Sequence, residues 1–146
     1  MKRGYAAIGL IAPKYESNLG GVLRAATCFG ADLIVLEGHR FHHTPMNTCR
    51  TERHIPVLEV EKIEASIPYA CEPIIVEILP GAHPLTTFRH PQAALYIFGP
   101  EDGSVPERLH KYRSIVIPST HCLNLAASVN VVLYDRVAKR RAGVEW

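Results

Sequence analysis

The sequence predicts an α/β protein built on a mostly parallel sheet with flanking helices. Several short apolar runs are rich in β-branched or aromatic residues and have almost no polar interruption. Such runs are typical of strands that are covered on both faces. The opening order of strand, helix and strand favours parallel pairing. With 146 residues, the chain is expected to form a single domain over residues 1–146.

The first third of the chain predicts a βαβ unit. Its first strand runs from Tyr5 to Ala12, its helix from Leu19 to Phe29, and its second strand from Ala31 to Glu37. Glycine favours the left-handed conformation that ends a helix, so we expect Gly30 to stop this one. The polar stretch that follows, residues 38–53, has no clean period and predicts a surface loop near the binding site.

The helix in this unit has a polar start and one apolar face. Ser17 or Asn18 is expected to cap it, because a side-chain oxygen there can accept from the free N–H groups of the first turn. The face expected to lie on the sheet contains Leu19, Val22, Leu23, Ala26 and Cys28. Arg24 then points away from the sheet, toward the loop side.

Shorter elements are predicted in the middle of the chain. They are a strand at Ile55 to Val60, a helical turn at Glu61 to Ile67, a strand at Pro73 to Leu79, and a short helix or loop at Leu85 to Pro91. Pro80 and Gly81 follow the second of these strands and predict a turn at its end.

The last third predicts two strands and a long helix. The strands are Ala94 to Phe98 and Ile115 to Ile117, and a helix with a proline in its first turn is expected between them at Val105 to Tyr112. Pro118 stops the second strand, and the long helix is expected to begin near Leu123 or Asn124, with the Asn124 side chain as a cap.

The long helix is apolar nearly all round in its first turns, which predicts burial. Its apolar residues are Leu125, Ala126, Ala127, Val129, Val131, Val132 and Leu133. Polarity returns at Asp135, Arg136, Lys139, Arg140 and Arg141, so this end is expected to reach water. The cations also suit the negative end of the helix dipole.

Composition excludes several classes of protein. The hydrophobic fraction is 47% and the charged fraction 21%, and no apolar run approaches the roughly 20 residues that a membrane span requires. The cations at the amino terminus precede an apolar run that Pro13 and Lys14 end early, so we expect a first strand in a cytoplasmic protein rather than a leader. A net charge of +2 permits an RNA partner without indicating one.

Four cysteines and eight histidines raise the question of a metal site. The densest group comprises His39, His42, His43, Cys49 and His54. His39 and His43 have H-x-x-x-H spacing, but no C-x-x-C pair accompanies them, so the usual zinc signature is incomplete and no metal is predicted. Cys28 and Cys71 are expected to be small buried hydrophobic residues.

Three stretches have the composition of a functional site: Asn18 to Arg24, Phe98 to Gly103, and Ile117 to Asn124. Taken singly, each has an ordinary structural explanation as a helix cap or a surface turn. Their joint occurrence, in this order and after apolar strands, favours a shared functional role.

The order N-x-G-x-x-x-R, then F-G-P-E, then I-P followed by L-N and an apolar helix resembles the SPOUT superfamily of RNA methyltransferases. The resemblance is to the TrmH or SpoU branch, spans nearly the whole chain, and is greatest to compact TrmL-type tRNA enzymes. It implies that the carboxy-terminal part of the parallel sheet forms a deep trefoil knot, a rare exception among folds. It also implies an S-adenosyl-L-methionine pocket in the knot and a homodimer through the knot region.

The resemblance also implies an activity and its residues. The activity is methyl transfer from S-adenosyl-L-methionine to a ribose 2′-hydroxyl of structured RNA, with tRNA favoured and rRNA as an alternative. The implied cofactor-binding residues are Glu77, Leu79, Gly99, Ile117, Cys122 and Leu123. The implied catalytic residues are Arg24, with Asn18, Glu101 and Asn124 supporting it. A guanidinium is a poor proton acceptor, so we expect Arg24 to orient a phosphate and stabilise a developing oxyanion.

The sequence departs from the family pattern at two places. Cys122 stands where a serine is usual, in a loop that is a few residues shorter than expected, and Ser104 replaces a glycine, with Gly103 one place earlier. These departures leave a non-catalytic module that binds S-adenosyl-L-methionine or RNA as an alternative. The expected phosphate contacts are Arg40, Arg50, Arg53, Arg89, Lys139, Arg140 and Arg141, with His42 or Tyr15 able to stack on a base.

Overall fold

The computed structural model describes residues 4–41 and 55–143. Within these ranges the strands are β1 (Tyr5–Ile11), β2 (Leu33–Glu37), β3 (Val57–Val60), β4 (Glu72–Val76), β5 (His83–Pro84), β6 (Ala93–Phe98) and β7 (Arg113–Val116). The helices are α1 (Glu16–Phe29) and α2 (Leu125–Arg141). Short 3-10 turns lie at Ile63–Ser66, Leu85–Thr87 and Glu107–Leu109.

The strands form a parallel sheet in the order β3-β2-β1-β6-β4-β7-β5. The predicted parallel α/β fold is therefore confirmed, including the opening βαβ unit. Two features of the order matter for the site. The carboxyl ends of β6, β4 and β7 are neighbours at one edge, and β7 lies between β4 and β5, which only residues 77–82 connect.

The sheet has a core on each face, and its central strands are almost fully buried. On one face, residues of α1 and α2 pack against alternate residues of β1 and β6. The other face is covered by residues of two 3-10 turns, including Ile63 and Leu109. The two helices approach each other closely, because a Cβ atom built on Gly21 would lie 2.7 Å from the Cβ of Ala126.

Helix α1 begins earlier than predicted and without the predicted cap. It starts at Glu16, and its N-cap residue Tyr15 makes no side-chain capping hydrogen bond. Neither Ser17 nor Asn18 is the cap, because both lie inside the first turn. The predicted end is confirmed, since Gly30 has φ 73° and its N–H donates to Ala26 O.

Cys28 is exposed, so the prediction of a buried thiol there was wrong. It lies nine residues after Leu19, and at 100° per residue that spacing turns it to the opposite side of the helix. The other four residues of the predicted face are buried: Leu19, Val22, Leu23 and Ala26. Cys71 is buried as predicted.

Helix α2 buries one face rather than its whole circumference. Leu125, Val129, Val132 and Leu133 are buried, whereas Val131 and Tyr134 are 36% and 61% exposed. The prediction that the polar end reaches water was wrong for Arg136, which is only 5% exposed. Its guanidinium donates to the carbonyl oxygens of Pro91 and Gln92 at 2.6 and 2.7 Å and to the Tyr96 hydroxyl at 3.1 Å.

Two other predicted elements differ from the structure. Val105 to Tyr112 is not a helix but contains a single 3-10 turn, because its N–H groups donate three residues back: Leu109 to Pro106, and His110 to Glu107. So short a segment before β7 leaves too few residues to nucleate an α-helix. Strand β4 ends at Val76 rather than Leu79, although the Glu77 N–H still donates to Ile115 O.

No helix in the described ranges is long and apolar enough to cross a membrane. Residues 4–41 and 55–143 also contain no group of three side chains suited to hold a metal ion. His39 lies within reach of the Glu59 carboxylate at 3.2 Å. The other members of the predicted histidine and cysteine group, His42, His43, Cys49 and His54, lie outside the described residues.

Candidate active site

A cleft lies at the carboxyl ends of β4, β6 and β7, beside the start of α2. It consists of two adjoining cavities of about 130 and 160 Å³. Both are lined by Val76, Glu77, Cys122, Leu123 and Ser128. The first cavity adds Ile78, Val116, Ile117 and Ser119, and the second adds Phe98, Gly99, Pro100, Glu101, Gly103 and Leu125. The cleft thus lies where parallel sheets bind their ligands, beyond the carboxyl ends of the strands.

The loop after β6 is held against β4 by a carboxylate and by a close backbone approach. The Val105 N–H donates to one oxygen of Glu77 at 3.2 Å, and the Ile78 N–H donates to the other at 3.0 Å. A Cβ atom on Gly99 would lie 2.9 Å from the Val105 nitrogen. Only glycine therefore fits at residue 99 unless the loop moves, and the glycine keeps this wall of the cleft in place.

Three of the predicted catalytic residues form a continuous hydrogen-bond chain. Asn124 Nδ2 donates to Asn18 Oδ1 at 3.0 Å, and Asn18 Nδ2 donates to Glu101 Oε1 at 3.1 Å. Asn124 Oδ1 accepts from the Ala127 N–H at 3.1 Å, which confirms it as the cap of α2. Asn18 is 8% exposed. These hydrogen bonds connect the starts of α1 and α2 to the loop after β6.

Arg24 lies on the exposed side of α1. Unlike Glu101, it lines neither cavity of the cleft. It has no hydrogen bond or ion pair with another described residue, unlike Asn18, Glu101 and Asn124. Its guanidinium is therefore available to a ligand.

Five of the six predicted cofactor-binding residues line the cleft: Glu77, Gly99, Ile117, Cys122 and Leu123. Leu79 does not line either cavity and instead packs, partly buried, against the core on the other face of the sheet. Sequence reasoning missed Ser128, although its spacing gave a signal. It lies four residues after Asn124, which puts it on the same side of α2.

The two departures from the family pattern lie in the loops around the cleft. Cys122 lines both cavities and is exposed. Gly103 closes the turn after β6, because its N–H donates to Pro100 O at 3.3 Å. The carbonyl carbon of Ser104 would lie 3.1 Å from a Cβ atom on Gly99.

Beside the cleft, Arg40 forms a two-pronged ion pair with Asp102. Its Nη1 and Nη2 donate to the two carboxylate oxygens at 3.0 and 2.6 Å. This hydrogen bonding to Arg40 lowers the pKa of Asp102 to about 2. The carboxylate is therefore ionised at neutral pH.

The predicted phosphate contacts do not all remain available for RNA. Arg40 is engaged by Asp102, and the Lys139 ammonium donates to the carbonyl oxygens of Leu85 and Phe88. Arg89, Arg140 and Arg141 are exposed, as is Tyr15. Arg50, Arg53 and His42 lie outside the described residues.

The fold is a parallel α/β fold with a cleft at the carboxyl ends of three neighbouring strands, the place where such folds bind their ligands. The model of the SpoU rRNA Methylase family matches residues 6–134. The chain belongs to this family, as the resemblance in its motifs predicted. It is therefore an RNA methylase, and its cofactor is S-adenosyl-L-methionine.

Solved structures support the fold. A structure from a study of the 2-OH methylation of C/U34 on tRNA is 22% identical with a TM-score of 0.80, and the match covers 96% of this chain and 98% of that chain. The SpoU methyltransferase AviRb from Streptomyces viridochromogenes, in complex with AdoMet, is 20% identical with a TM-score of 0.80. That match covers 98% of this chain and 63% of AviRb, so the chain spans less than two thirds of that relative.

The TrmH/SpoU tRNA modifying enzyme of A. aeolicus is 13% identical with a TM-score of 0.82, and the match covers 98% of this chain and 79% of that chain. A comparison with curated protein sequences finds no match.

Proposed function

We propose that the chain transfers a methyl group from S-adenosyl-L-methionine to a ribose 2′-hydroxyl of structured RNA, with tRNA as the substrate. The observation that carries this proposal is the cleft itself. It gathers five of the six cofactor-binding residues that the resemblance implies, and the Asn124–Asn18–Glu101 hydrogen-bond chain runs along its side.

The residues of the cleft suit S-adenosyl-L-methionine. Val76, Ile117, Leu123 and Leu125 offer apolar walls for an adenine ring, and the backbone near Glu77 and Gly99 offers polar groups for the ribose. The Glu77 carboxylate also adds a negative charge to the wall of the cleft, which would suit a cationic ligand. When bound, the cofactor supplies an electrophilic methyl group.

Arg24 is the proposed catalytic residue. Methyl transfer to a ribose oxygen requires an aligned hydroxyl and stabilisation of the negative charge that develops on it. A guanidinium holds its proton too tightly to act as a base but binds a phosphate through two parallel hydrogen bonds. Arg24 would thus orient the RNA backbone, while Asn18, Glu101 and Asn124 fix the helix that carries it.

Two observations support tRNA over rRNA as the substrate. The similar structure from the study of tRNA methylation has nearly the same length as this chain, because the match covers 98% of it. The A. aeolicus structure is also that of a tRNA modifying enzyme. The rRNA alternative is supported by the family's name and by two similar structures of an rRNA methyltransferase from Sinorhizobium meliloti, although those matches cover only 57% of that chain. It is the alternative outcome of the experiment below.

A trefoil knot and a homodimer belong to the same proposal. Placement of β7 between β4 and β5 supports the knot, since the chain must return between two strands that it has already formed. The exposed Val131 and Tyr134 on α2 support a second copy of the chain on this face. Light scattering of the wild type and of Tyr134→Asp tests the dimer: a dimer that dissociates in the variant supports it, and a monomeric wild type rejects it.

The experiment that tests the function is mass-spectrometric mapping of ribose methylation in total RNA with and without the protein. One tRNA position that loses its 2′-O-methyl group is the expected result. Arg24→Ala should lower turnover on that RNA by at least about 100-fold, as loss of a transition-state contact does. Arg113→Ala is the matched control, because it removes an exposed arginine at the opposite end of β7.

Cofactor binding by the wild type without methylation of any RNA would favour a non-catalytic module. Normal turnover by Arg24→Ala would reject the role proposed for that residue. If only rRNA lacks a methyl group when the protein is absent, the substrate is rRNA rather than tRNA.

A further inference from the structure

The Arg40–Asp102 pair joins the loops that follow β1, β2 and β6. Besides its two bonds to Asp102, the Arg40 side chain donates from Nε to Ala12 O at 3.1 Å. Its backbone N–H donates to Pro13 O at 2.9 Å. The residue therefore binds the loop after β1 and the loop after β6 at the same time.

The same loops lead directly into the proposed site. The Lys14 N–H donates to Glu101 Oε2 at 2.8 Å, and the other oxygen of Glu101 accepts from Asn18. Glu101 precedes Asp102 in the chain and lines the cleft. Residues 12–14 are thus bound by Arg40 on one side and by Glu101 on the other.

This ion pair fixes the geometry of the loops more than it stabilises the fold. The side chains of Arg40 and Asp102 are 40% and 45% exposed, and ion pairs so exposed add little to the stability of a fold. A guanidinium that meets both oxygens of a carboxylate nevertheless fixes distance and angle, which a single contact does not. Lysine could not reproduce that fork.

We propose that Arg40 and Asp102 are positioning residues that hold the loop after β6 in the shape required for cofactor binding. The inference rests on the proposed function, because it takes the cleft as the S-adenosyl-L-methionine site. The positioning role also supersedes the expected role of Arg40 as a phosphate contact. The Arg40 guanidinium is already bound to Asp102, so an RNA phosphate would have to displace that carboxylate.

Calorimetry with S-adenosyl-L-homocysteine tests the proposal without any RNA. Arg40→Ala and Asp102→Ala should each weaken binding by about 10-fold, as loss of a group that preorganises a site does. The double variant should lose no more than either single variant, since the two residues act as a unit. Arg40→Lys should bind more weakly than the wild type but more tightly than Arg40→Ala.

Arg113→Ala is again the matched control, since it breaks an exposed arginine–carboxylate pair, Arg113–Glu72, away from the cleft. Its binding should equal that of the wild type. Circular dichroism should show the same folded spectrum for all variants, and amide exchange of residues 99–105 should be faster in Arg40→Ala than in the wild type.

Three results would overturn the proposal. Unchanged binding by folded Arg40→Ala and Asp102→Ala would reject the positioning role and leave the proposed function standing. Tighter RNA binding by Asp102→Ala, with weaker RNA binding by Arg40→Ala, would mean that Arg40 contacts phosphate. Failure of the wild type to bind S-adenosyl-L-homocysteine would reject the cofactor cleft as well.

Discussion

Gly20 and Gly21 are neighbours in α1, yet alanine should have opposite effects on stability at the two positions. A Cβ atom on Gly20 would meet no atom within 4 Å, whereas one on Gly21 would lie 2.7 Å from the Cβ of Ala126. In a helix interior, alanine is favoured over glycine by about 1 kcal/mol. Gly20→Ala should therefore raise the free energy of unfolding by about 0.5–1 kcal/mol.

At Gly21 the same gain in helix propensity is outweighed by the clash. Extra atoms in a packed region cost about 1–3 kcal/mol, because neighbouring atoms must shift. Gly21→Ala should thus lower the free energy of unfolding by about 1 kcal/mol, a fall of about 3 °C in melting temperature for a chain of this size. The shift would also separate the starts of α1 and α2, where Asn18 meets Asn124.

The assay is urea unfolding followed by circular dichroism, at one protein concentration because an oligomer would make the midpoint depend on it. A double-mutant cycle with Ala126→Gly isolates the clash. Gly21→Ala should be better tolerated in the Ala126→Gly background by about 1 kcal/mol or more, since the opposing methyl group is gone. Equal stabilisation by Gly20→Ala and Gly21→Ala would refute the close packing of the two helices.

Three further predictions concern the site and the core. Asn18→Asp should reduce methyl transfer more than Asn18→Ala, because it faces the Glu101 carboxylate with a second negative charge; equal initial rates would contradict the hydrogen-bond chain. Burial lowers the pKa of His90 from 6.5 to about 4, so the unfolded chain binds the proton first as the pH falls. The contribution of neutral His90 to the free energy of unfolding should therefore be fully present above pH 6.5 and fall by up to about 3 kcal/mol by pH 4. His90→Gln should lose that part of the acid sensitivity in urea titrations. An unchanged pH profile in the variant would contradict this role of His90. Thiol titration in a Cys28→Ser, Cys49→Ser background should show fast reaction of exposed Cys122, slowed by S-adenosyl-L-homocysteine, and slow reaction of Cys71, whose pKa burial raises to about 11; an unprotected Cys122 would argue against the cleft.

The parts of the fold that could be predicted are those determined by local pattern. Strands β1 and β6 are nearly continuous apolar runs, and each was predicted to within one residue. The cap at Asn124 was predictable because it needs only the next three residues. The two-residue strand β5 carries too little pattern to be recognised.

The failures come from tertiary contacts that override local preference. Asn18 looked like a cap, but its amide is taken up by Glu101 and Asn124, which are 83 and 106 residues away. Arg136 looked like a solvated cation, but it donates to carbonyl oxygens at Pro91 and Gln92. The residues next to Asn18 and Arg136 in the sequence do not indicate these distant partners. Periodicity and propensity therefore cannot predict the contacts of either side chain.

The candidate site was predictable through its motifs rather than through physical pattern. Asn18, Glu101 and Asn124 were named from the resemblance, and their hydrogen-bond chain gives a physical reason for their grouping. The Arg40–Asp102 pair lay outside the motifs. Its two residues are 62 positions apart, and each alone has the pattern of an ordinary surface charge.

The most direct test of the central claim is amide hydrogen exchange with and without S-adenosyl-L-homocysteine, read by mass spectrometry. The cleft assignment predicts slower exchange in residues 77–79, 99–105 and 117–123, and no change in β3. Protection confined to the small cavity lined by Gly4, Gly30 and Arg140, on another part of the surface, would contradict it.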